Sequence, residues 1–314
     1  MTVFVNTPVK PHHRAMLEAV EGYEFTYAQD GSDHLADAEI LIGAVGPGKL
    51  RLAKNLKWYQ LVWAGTDSYK PGEFPEGVLL TNGSGAYGVM IAEHMMACML
   101  AMVRQLDHYA ANQKAHLWDR DWTEDTLEGK TVLILGTGDI GSALAKRLRG
   151  FDCRILGLRR TVGQLPFFDE VHTTRDLDRL LPQADVVACA MPGTAATRGL
   201  LNRERLLAMK KTALLLNCGR GSLIVTQDLE EVLAMGHLGG VALAVTDPEP
   251  LPADSFLWDC PRVILTPHIS GSTFRHVAAT EDKVYAIAAE NLRRFRDGEP
   301  LLNQVDLELG YRKR

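Results

Sequence analysis

Three polar segments in the last third of the chain hold residue types suited to acid–base chemistry, and each follows an apolar run. They are NCGRGS around Arg220, TDPEP around Glu249 and TPHISG around His268. An arginine can hold a carboxylate, a histidine can exchange a proton near neutral pH, and a glutamate can orient that histidine. Each residue alone also fits a structural role, as a surface arginine, a loop acid or a buried histidine. Because parallel strands end at one edge of a sheet, where ligands bind, we interpret the three together as a site.

A glycine-rich segment marks a second candidate site. The apolar run TVLIL precedes it, and a helical pattern that extends to Leu148 follows it. In this setting the glycines allow a tight turn, a close approach of backbone to a pyrophosphate and close packing of helix on strand. The anion would lie at the helix N-terminus. The alternative is a merely structural turn. We predict nucleotide binding by Gly136, Thr137, Gly138, Asp139, Ile140 and Gly141.

Two arginines, Arg159 and Arg160, end the next strand-like run, CRILGL. Sites for NAD carry an acidic residue near this point, which accepts hydrogen bonds from the ribose hydroxyls. Guanidinium groups instead suit a 2′-phosphate, which they can hold through charge-assisted hydrogen bonds. The alternative is a solvated pair at the end of a strand. We therefore predict NADP(H) as the preferred cofactor, with NAD(H) possible.

The motifs resemble those of the D-isomer-specific 2-hydroxyacid dehydrogenases over nearly the whole chain. The resemblance lies in TGDIG, NCGRGSLI, DPEPL and TPHISG, and in the N-terminal segments AGTD and NGSGAYGVMIAEH. It implies an oxidoreductase that transfers a hydride between nicotinamide and a small 2-oxo acid or D-2-hydroxy acid. It further implies that Arg220 clamps the substrate carboxylate and 2-oxo oxygen, and that His268, held by Glu249, exchanges the proton. Backbone N–H groups near Ala64 and Gly65 would assist in binding the substrate.

The resemblance also implies further cofactor contacts and shows one departure. Family members usually have an aspartate, which contacts the nicotinamide carboxamide, where this sequence has Ala244. Thr246 or Asp247 could replace that contact. Weaker cofactor binding is one expected consequence; lost activity is not implied, because the three polar residues of the site are intact. The further contacts are Met191, Pro192, Cys218, Gly219, Arg220, His268 and Gly271.

Alternating strand-like and helical runs must position these motifs. The sequence predicts strands at 3–5, 25–27, 40–42, 58–62, 132–135, 154–158, 186–190, 213–216, 241–245 and 263–265. It predicts helices at 11–20, 50–55, 89–110, 140–148, 177–181, 228–235 and 273–296. Six βα-type strands after residue 130 predict a doubly wound, Rossmann-type parallel sheet. The resemblance implies that this dinucleotide-binding domain, residues 85–272, is inserted into a smaller flavodoxin-like substrate domain, residues 1–84 and 273–314, with the active site in the cleft between them.

The identity of the substrate is the least specified property. An NADP-type strand end within this family resembles the glyoxylate/hydroxypyruvate reductases. A short phosphoglycerate dehydrogenase-like enzyme is the alternative, for which Lys49, Arg51 and Lys70 are the N-terminal candidates to bind a phosphate. A second alternative is a non-catalytic, dinucleotide-sensing scaffold similar to the family's corepressor branch. The complete set of arginine, glutamate and histidine argues against the scaffold.

Composition limits the remaining possibilities. The 314 residues suggest two domains, and the formal net charge of -5 argues against a general nucleic-acid or membrane surface. The most apolar stretch, at 89–103, is too short for a membrane span, so we expect a cytoplasmic protein.

We expect a homodimer through the cofactor domain, with Trp118 and Trp122 packed either on the second subunit or on their own domain. We expect no metal, since no ligand cluster accompanies His12 and His13 in the sequence. The cysteines indicate reduced thiols without a disulfide or zinc site; they are Cys98, Cys153, Cys189, Cys218 and Cys260.

Overall fold

The structure is a computed structural model that describes residues 1–28, 34–70, 72–120, 123–271 and 277–312. The chain divides into two compact units. The terminal unit is Met1–Tyr87 with Thr273–Arg314, and the central unit is Gly88–Ser272. The first boundary between the units is predicted between residues 84 and 85, and in the structure it lies between residues 87 and 88. Ser272 and Thr273, at the second predicted boundary, lie outside the described residues, as does Trp122.

The terminal unit contains a five-stranded parallel sheet in the order β2-β1-β3-β4-β5. Numbered along the chain, this is the 2-1-3-4-5 order of a flavodoxin-like sheet, so the predicted fold class of this unit is confirmed. Its strands are β1 (Thr2–Asn6), β2 (Glu24–Tyr27), β3 (Ile40–Gly43), β4 (Trp58–Leu61) and β5 (Leu79–Thr81). Its helices are α1 (Pro11–Glu18), α2 (Pro47–Leu50) and α9 (Ala278–Arg296), and the strands β13 (Val305–Asp306) and β14 (Tyr311–Arg312) form a small hairpin.

Both faces of this sheet contribute to a hydrophobic core. Successive side chains along a strand point to opposite sides, so those of β1 enter two different clusters. Val3 and Val5 of β1 pack in one core cluster with Leu17 of α1. Phe4, between them, packs in a second cluster with Tyr59 of β4. The apolar runs of the N-terminal sequence follow from this arrangement, since a parallel strand covered on both faces has little place for polar residues.

The central unit contains a seven-stranded parallel sheet in the order β12-β11-β10-β9-β6-β7-β8. Counted from β6, its first six strands have the 3-2-1-4-5-6 order of a doubly wound dinucleotide-binding sheet, as predicted. The strands are β6 (Thr131–Leu135), β7 (Arg154–Arg159), β8 (Glu170–Thr173), β9 (Val186–Cys189), β10 (Leu214–Asn217), β11 (Gly240–Leu243) and β12 (Val263–Leu265). The helices are α3 (Gly88–Val103), α4 (Leu106–Lys114), α5 (Asp139–Leu148), α6 (Leu177–Leu180), α7 (Arg203–Ala208) and α8 (Thr226–Ala234).

The structure corrects several predicted elements. The predicted helix at 89–110 is two helices, because Gln105 adopts a left-handed conformation with φ of 55° and its N–H bonds to Met102 instead of continuing the α-helical pattern. The predicted helix at 50–55 overlaps the observed α2, Pro47–Leu50, only at Leu50. β8 is a four-residue edge strand without a fully buried residue, and α7 is a short helix capped by Asn202; both are absent from the predicted elements.

Among the described residues, no single helix is long and apolar enough to cross a membrane. Helices α3 and α4 satisfy these requirements only as a pair, and they are bent by 66° relative to each other.

Candidate active site

Six segments predicted to carry the chemistry follow six strands of the central sheet at their carboxyl ends. The residues that bear proton-transfer chemistry follow β10, β11 and β12, and those expected to bind a dinucleotide follow β9, β6 and β7. The two groups meet at the neighbouring strands β10 and β9. The strand order reverses direction one step further along, between β9 and β6. Neighbouring strands lie about 4.8 Å apart, so the row from β12 to β7 extends over about 24 Å. This edge is long enough to bind an extended dinucleotide beside a small substrate.

The glycine-rich loop after β6 leaves no room for side chains at its key positions. Gly136 has φ of 102°, and a Cβ there would lie 2.7 Å from the carbonyl oxygen of Ala190 after β9. A Cβ on Gly141 would collide with the carbonyl oxygen of Gly136. Helix α5 begins directly after Gly138, so its unpaired N–H groups lie at this loop. These features fit the backbone cradle that a pyrophosphate requires.

Two polar atoms near this loop are buried and have no hydrogen-bond partner among the described residues. They are Oγ1 of Thr137 and Nε of Arg159 at the end of β7. A buried donor without a partner costs about 1–3 kcal/mol, so each atom gains when a phosphate or hydroxyl oxygen is supplied. Arg160 is exposed next to Arg159. The residues present therefore fit a phosphorylated dinucleotide, which would supply a hydrogen-bond partner to both buried atoms.

Asp139 has a different contact from the predicted one. Its carboxylate accepts a 2.7 Å hydrogen bond from the backbone N–H of Gly88, at the first residue of α3. The carboxylate thus fixes the start of α3 to the start of α5. Any contact of Asp139 with a cofactor is best assigned to its backbone.

The loop after β10 holds Arg220 in an extended conformation. Asn217 anchors this loop, because its side-chain amide donates to the Arg220 carbonyl at 2.9 Å and its side-chain oxygen accepts the Gly219 N–H at 3.1 Å. Nη1 of Arg220 donates to the Gly219 carbonyl at 2.7 Å. A Cβ on Gly219 would lie 2.5 Å from the Met191 carbonyl oxygen, so this loop lies directly against the loop after β9. Asn217 is a positioning residue that the sequence analysis missed, although its place just before the CGRG segment was visible.

His268 and Glu249 form a hydrogen-bonded pair. Nδ1 of His268 lies 2.9 Å from Oε2 of Glu249. The two side chains are 51% and 41% exposed, so solvent and small ligands reach the pair. His268 has φ of 53°, and its backbone N–H donates to the carbonyls of Ala244 and Thr266. The predicted relation between these residues, with the glutamate beside the histidine, is therefore present in the geometry.

A half-buried layer supports the loop that carries His268. Nε2 of His94 on α3 lies 3.2 Å from the Thr266 hydroxyl and 3.6 Å from the Cys98 sulfur. Burial lowers the pKa of His94, which favours a neutral imidazole in this layer. Burial likewise raises the pKa of Cys218 to about 12, so this thiol stays protonated at neutral pH. His94 is a further residue that the sequence analysis missed, because only tertiary packing brings it to Thr266.

The position at which the family usually has an aspartate is buried. Ala244 is 2% exposed, and its carbonyl accepts the His268 N–H at 3.0 Å. Both suggested replacements already have partners. The Thr246 hydroxyl donates to the Pro248 carbonyl at 2.8 Å, and Asp247 pairs with Arg198 at 3.2 Å. A carboxamide contact through either side chain would compete with these bonds.

The predicted substrate loop, Ala64 and Gly65, belongs to the terminal unit and follows β4. The side-chain amide of Asn82 donates to the Ala64 carbonyl at 2.8 Å, and the Gly83 N–H donates to the Trp63 carbonyl at 2.8 Å. A Cβ on Gly83 would lie 2.5 Å from the Val62 carbonyl oxygen. The segment after β5 therefore fixes the backbone of the segment after β4. Ala64 is exposed and Gly65 half-exposed in this unit.

The fold and these groups define a class of protein. A doubly wound sheet with a glycine cradle suits a dinucleotide. An arginine after β10, at the same sheet edge as a histidine–glutamate pair, suits proton transfer on a carboxylate-bearing substrate. Together they define a dinucleotide-dependent oxidoreductase.

Comparison with known proteins gives the family. The family model for the D-isomer specific 2-hydroxyacid dehydrogenase, NAD binding domain, matches residues 96–270. The chain is 34% identical to glyoxylate/hydroxypyruvate reductase B from Pectobacterium carotovorum, over 87% of this chain and 88% of that relative. A D-isomer specific 2-hydroxyacid dehydrogenase family protein from Aeromonas salmonicida is 34% identical, with a TM-score of 0.85 over 98% of this chain and 99% of that chain. The NADPH-dependent glyoxylate/hydroxypyruvate reductase from Sinorhizobium meliloti, in complex with NADP and sulfate, is 27% identical, with a TM-score of 0.84 over 99% of each chain.

The chain therefore belongs to the D-isomer specific 2-hydroxyacid dehydrogenase family. It is an NAD(P)-dependent oxidoreductase that transfers a hydride between nicotinamide and a 2-oxo acid or 2-hydroxy acid.

Proposed function

We propose that this enzyme reduces small 2-oxo acids with NADPH, and that glyoxylate and hydroxypyruvate are the substrates to test first. The observation that carries the cofactor preference is the end of β7. There the Nε atom of Arg159 is buried without a partner among the described residues, and Arg160 is the next residue along the chain. An acidic residue at this position would favour NAD instead. The reductases from Pectobacterium and Sinorhizobium support the choice of substrates by similarity.

Arg220 would bind and polarise the substrate. Its loop is anchored by Asn217, so the guanidinium is presented from a fixed backbone. A guanidinium holds a carboxylate through two parallel hydrogen bonds and also stabilises negative charge that develops on the 2-oxo oxygen. Backbone N–H groups of Ala64 and Gly65 would assist with the carboxylate, as the family resemblance implies.

His268 would transfer the proton. Its Nδ1 bonds to Glu249, so Nε2 is the nitrogen that we assign to the substrate oxygen. During reduction, protonated His268 donates its Nε2 proton to the carbonyl oxygen of the 2-oxo acid. During oxidation, neutral His268 accepts a proton from the hydroxyl group of the 2-hydroxy acid. The hydrogen bond between Nδ1 and Glu249 fixes the orientation of the ring. The nicotinamide cofactor, when bound, supplies or accepts the hydride.

The first experiment compares NADPH with NADH on a panel of 2-oxo acids that includes 3-phosphohydroxypyruvate. We expect the highest kcat/KM with NADPH and with glyoxylate or hydroxypyruvate. Equal or better kcat/KM with NADH would contradict the cofactor preference. Preference for 3-phosphohydroxypyruvate would support the phosphoglycerate dehydrogenase-like alternative, and no turnover on any acid would support the non-catalytic one. The three basic candidates for binding the phosphate of that alternative substrate are exposed, so solvation accounts for their charges without a phosphate; they are Lys49, Arg51 and Lys70.

The second experiment replaces the two arginines. Charge-assisted hydrogen bonds contribute about 1.5–3 kcal/mol, so Arg159→Gln and Arg160→Gln should each lower kcat/KM for NADPH by about tenfold to a hundredfold. The value for NADH should change by less than about threefold, because NADH lacks the 2′-phosphate. Arg154→Gln is the matched control, since Arg154 lies at the other end of β7 and pairs with Glu170. Parallel losses with both cofactors would argue against a phosphate contact.

We also propose a homodimer that uses the segment from α4 to Trp118. None of the residues of α4 is buried in the described chain. Leu106, Leu117 and Trp118 are 55%, 58% and 93% exposed, which is costly for side chains of this size in water. A second copy of the chain would cover them. The alternative, that Trp118 packs on its own domain, finds no support in this exposure.

A further inference from the structure

Two histidines and an aspartate converge in the terminal unit, outside the residues assigned to the reaction. His12 and His13 lie in the first turn of α1, and Asp282 lies on α9. Nε2 of His12 is 3.0 Å, and Nε2 of His13 is 2.7 Å, from the same Oδ1 of Asp282. One potential ligand atom of each residue lies within 4.8 Å of the other two; in the part of the chain that is described, no other group of His, Cys and acidic side chains converges in this way.

Packing fixes one of these ligands before any ion arrives. The ring of His13 is 1% exposed and stacks on Tyr285 at 4.2 Å between centroids, with an angle of 23° between the rings. Tyr285 is fixed in turn, because its hydroxyl donates to the Pro8 carbonyl at 2.6 Å. A preorganised ligand loses little rotamer entropy on binding, which favours affinity.

The other two ligands keep the site open to solvent. The side chains of His12 and Asp282 are 57% and 50% exposed. An ion can therefore enter from water and complete its coordination with water molecules. The neighbouring carboxylate of Glu281 is paired with Lys10, so Asp282 supplies the negative charge of the cluster.

We propose that His12, His13 and Asp282 bind a divalent transition-metal ion such as Zn²⁺ or Ni²⁺. Two imidazole nitrogens and one carboxylate oxygen are the donor set of ions of this class, whereas Mg²⁺ and Ca²⁺ prefer oxygen ligands alone. Metal–ligand bonds of about 2.0–2.1 Å at tetrahedral angles separate two ligand atoms by about 3.3 Å. The observed 2.7 Å and 3.0 Å must widen by a few tenths of an ångström, which the exposed side chains of His12 and Asp282 permit.

The site has a structural consequence for the terminal unit. His12 and His13 come from the first helix of the chain and Asp282 from the last, so an ion would join α1 to α9. Because the ligands converge only in the folded state, binding should raise the stability of the fold. The sequence alone does not reveal this cluster, because the third ligand lies 269 residues beyond His13 and only the packing of α1 on α9 brings it close.

Equilibrium dialysis and isothermal titration with ZnCl₂ and NiCl₂ test the proposal on the full chain, purified without a polyhistidine tag. We expect one ion per chain. His12→Ala and Asp282→Asn should weaken binding by more than about tenfold. Loss of a group that only supports a metal ligand already lowers metal affinity by about tenfold, and these variants remove a ligand itself. His34→Ala is the matched control, because His34 is an exposed histidine of the same unit, and it should bind the ion as the unchanged chain does.

Thermal unfolding with and without the ion separates metal binding from a merely structural ion pair. The ion should raise the Tm of the unchanged chain and of His34→Ala, and should raise it much less in His12→Ala and Asp282→Asn. A lower Tm of the variants that is the same with and without the ion would show only a structural ion pair and overturn the proposal. Equal affinities in all variants, or no binding at all, would also overturn it.

Discussion

At the scale of single residues, His268 adopts a backbone conformation that few histidines take. Its φ of 53° turns the chain after Thr266 so that its N–H bonds to Ala244 and its ring reaches Glu249. Residue types and their place after apolar runs predicted that Arg220, Glu249 and His268 share one sheet edge. They did not predict Asn217 or His94 as supports, because those contacts depend on loop geometry and on packing between helix and sheet.

Replacing the proposed acid and its partner should separate catalysis from binding. His268→Gln removes the group that transfers the proton, so kcat should fall by about 10²- to 10⁴-fold. Glu249→Gln keeps the shape but removes the charge beside His268, so kcat should fall by a smaller factor, with KM changed by less than about threefold. Steady-state kinetics with the best 2-oxo acid measures both. Glu204→Gln, on the exposed side of α7, is the control and should leave kcat unchanged. Full activity of His268→Gln would refute the assigned role.

At the scale of elements, the loops after β6 and β10 are built around glycines whose neighbours are backbone atoms. The predicted strands lie within one or two residues of the observed ones, because most of them are nearly continuous apolar runs. The short strands β5, β13 and β14 are absent from the predicted elements. The break at Gln105 was not predictable, since neither glycine nor proline marks it. Edge strand β8 was missed for a related reason: the strand EVHT has no fully buried residue, and only its pairing with β7 defines it.

Gly221→Ala should damage the arginine loop while leaving the sheet intact. A Cβ at this position would collide with the Thr246 carbonyl oxygen after β11, so Arg220 and the segment before Glu249 must move apart. We expect a loss of about 1–3 kcal/mol in unfolding free energy and a lower kcat/KM. Urea titration and steady-state kinetics measure the two effects. Gly150→Ala is the control, because nothing lies within 4 Å of its Cβ position, and it should change neither quantity appreciably. Unchanged kinetics in Gly221→Ala would show that the contact between the two loops is dispensable.

At the scale of the whole molecule, burial holds thiols and phenols in their protonated forms. It raises the pKa of Cys153 to about 11 and of Cys218 to about 12, and it raises the pKa of Tyr59 and Tyr69. In the unfolded chain, thiols ionise near pH 8.5 and phenols near pH 10. The folded state therefore binds more protons than the unfolded state above these values, and stability must fall as the pH rises.

Alkaline unfolding tests this balance. We expect the urea midpoint to decrease steadily from about pH 8.5 to pH 11, with the full contribution of these groups present below pH 8. Cys218→Ala should show a shallower decrease, because one of the shifted groups is gone. A midpoint that is constant between pH 8 and pH 11 would contradict the assignment of these groups as buried and protonated.

The proposed assembly is also a property of the whole molecule. Trp118→Ser together with Leu117→Ser removes the most exposed apolar side chains next to α4, so the chain should shift from dimer to monomer in light scattering coupled to size-exclusion chromatography. Met235→Ser is the control, since Met235 is 54% exposed directly after α8 in the central unit. An unchanged mass in the double variant would place the interface elsewhere.

The order of the central strands has a consequence for how such an enzyme can diversify. The residues that we propose to select the nucleotide lie at the end of β7, while the proposed proton donor and carboxylate clamp follow β12 and β10, beyond the reversal between β6 and β9. Substitutions after β7 would change which nucleotide the enzyme uses without changing the residues proposed to carry out the reaction. Changes at the other end can admit new acids while the same reductant is retained. The two traits can therefore evolve, or be engineered, one at a time.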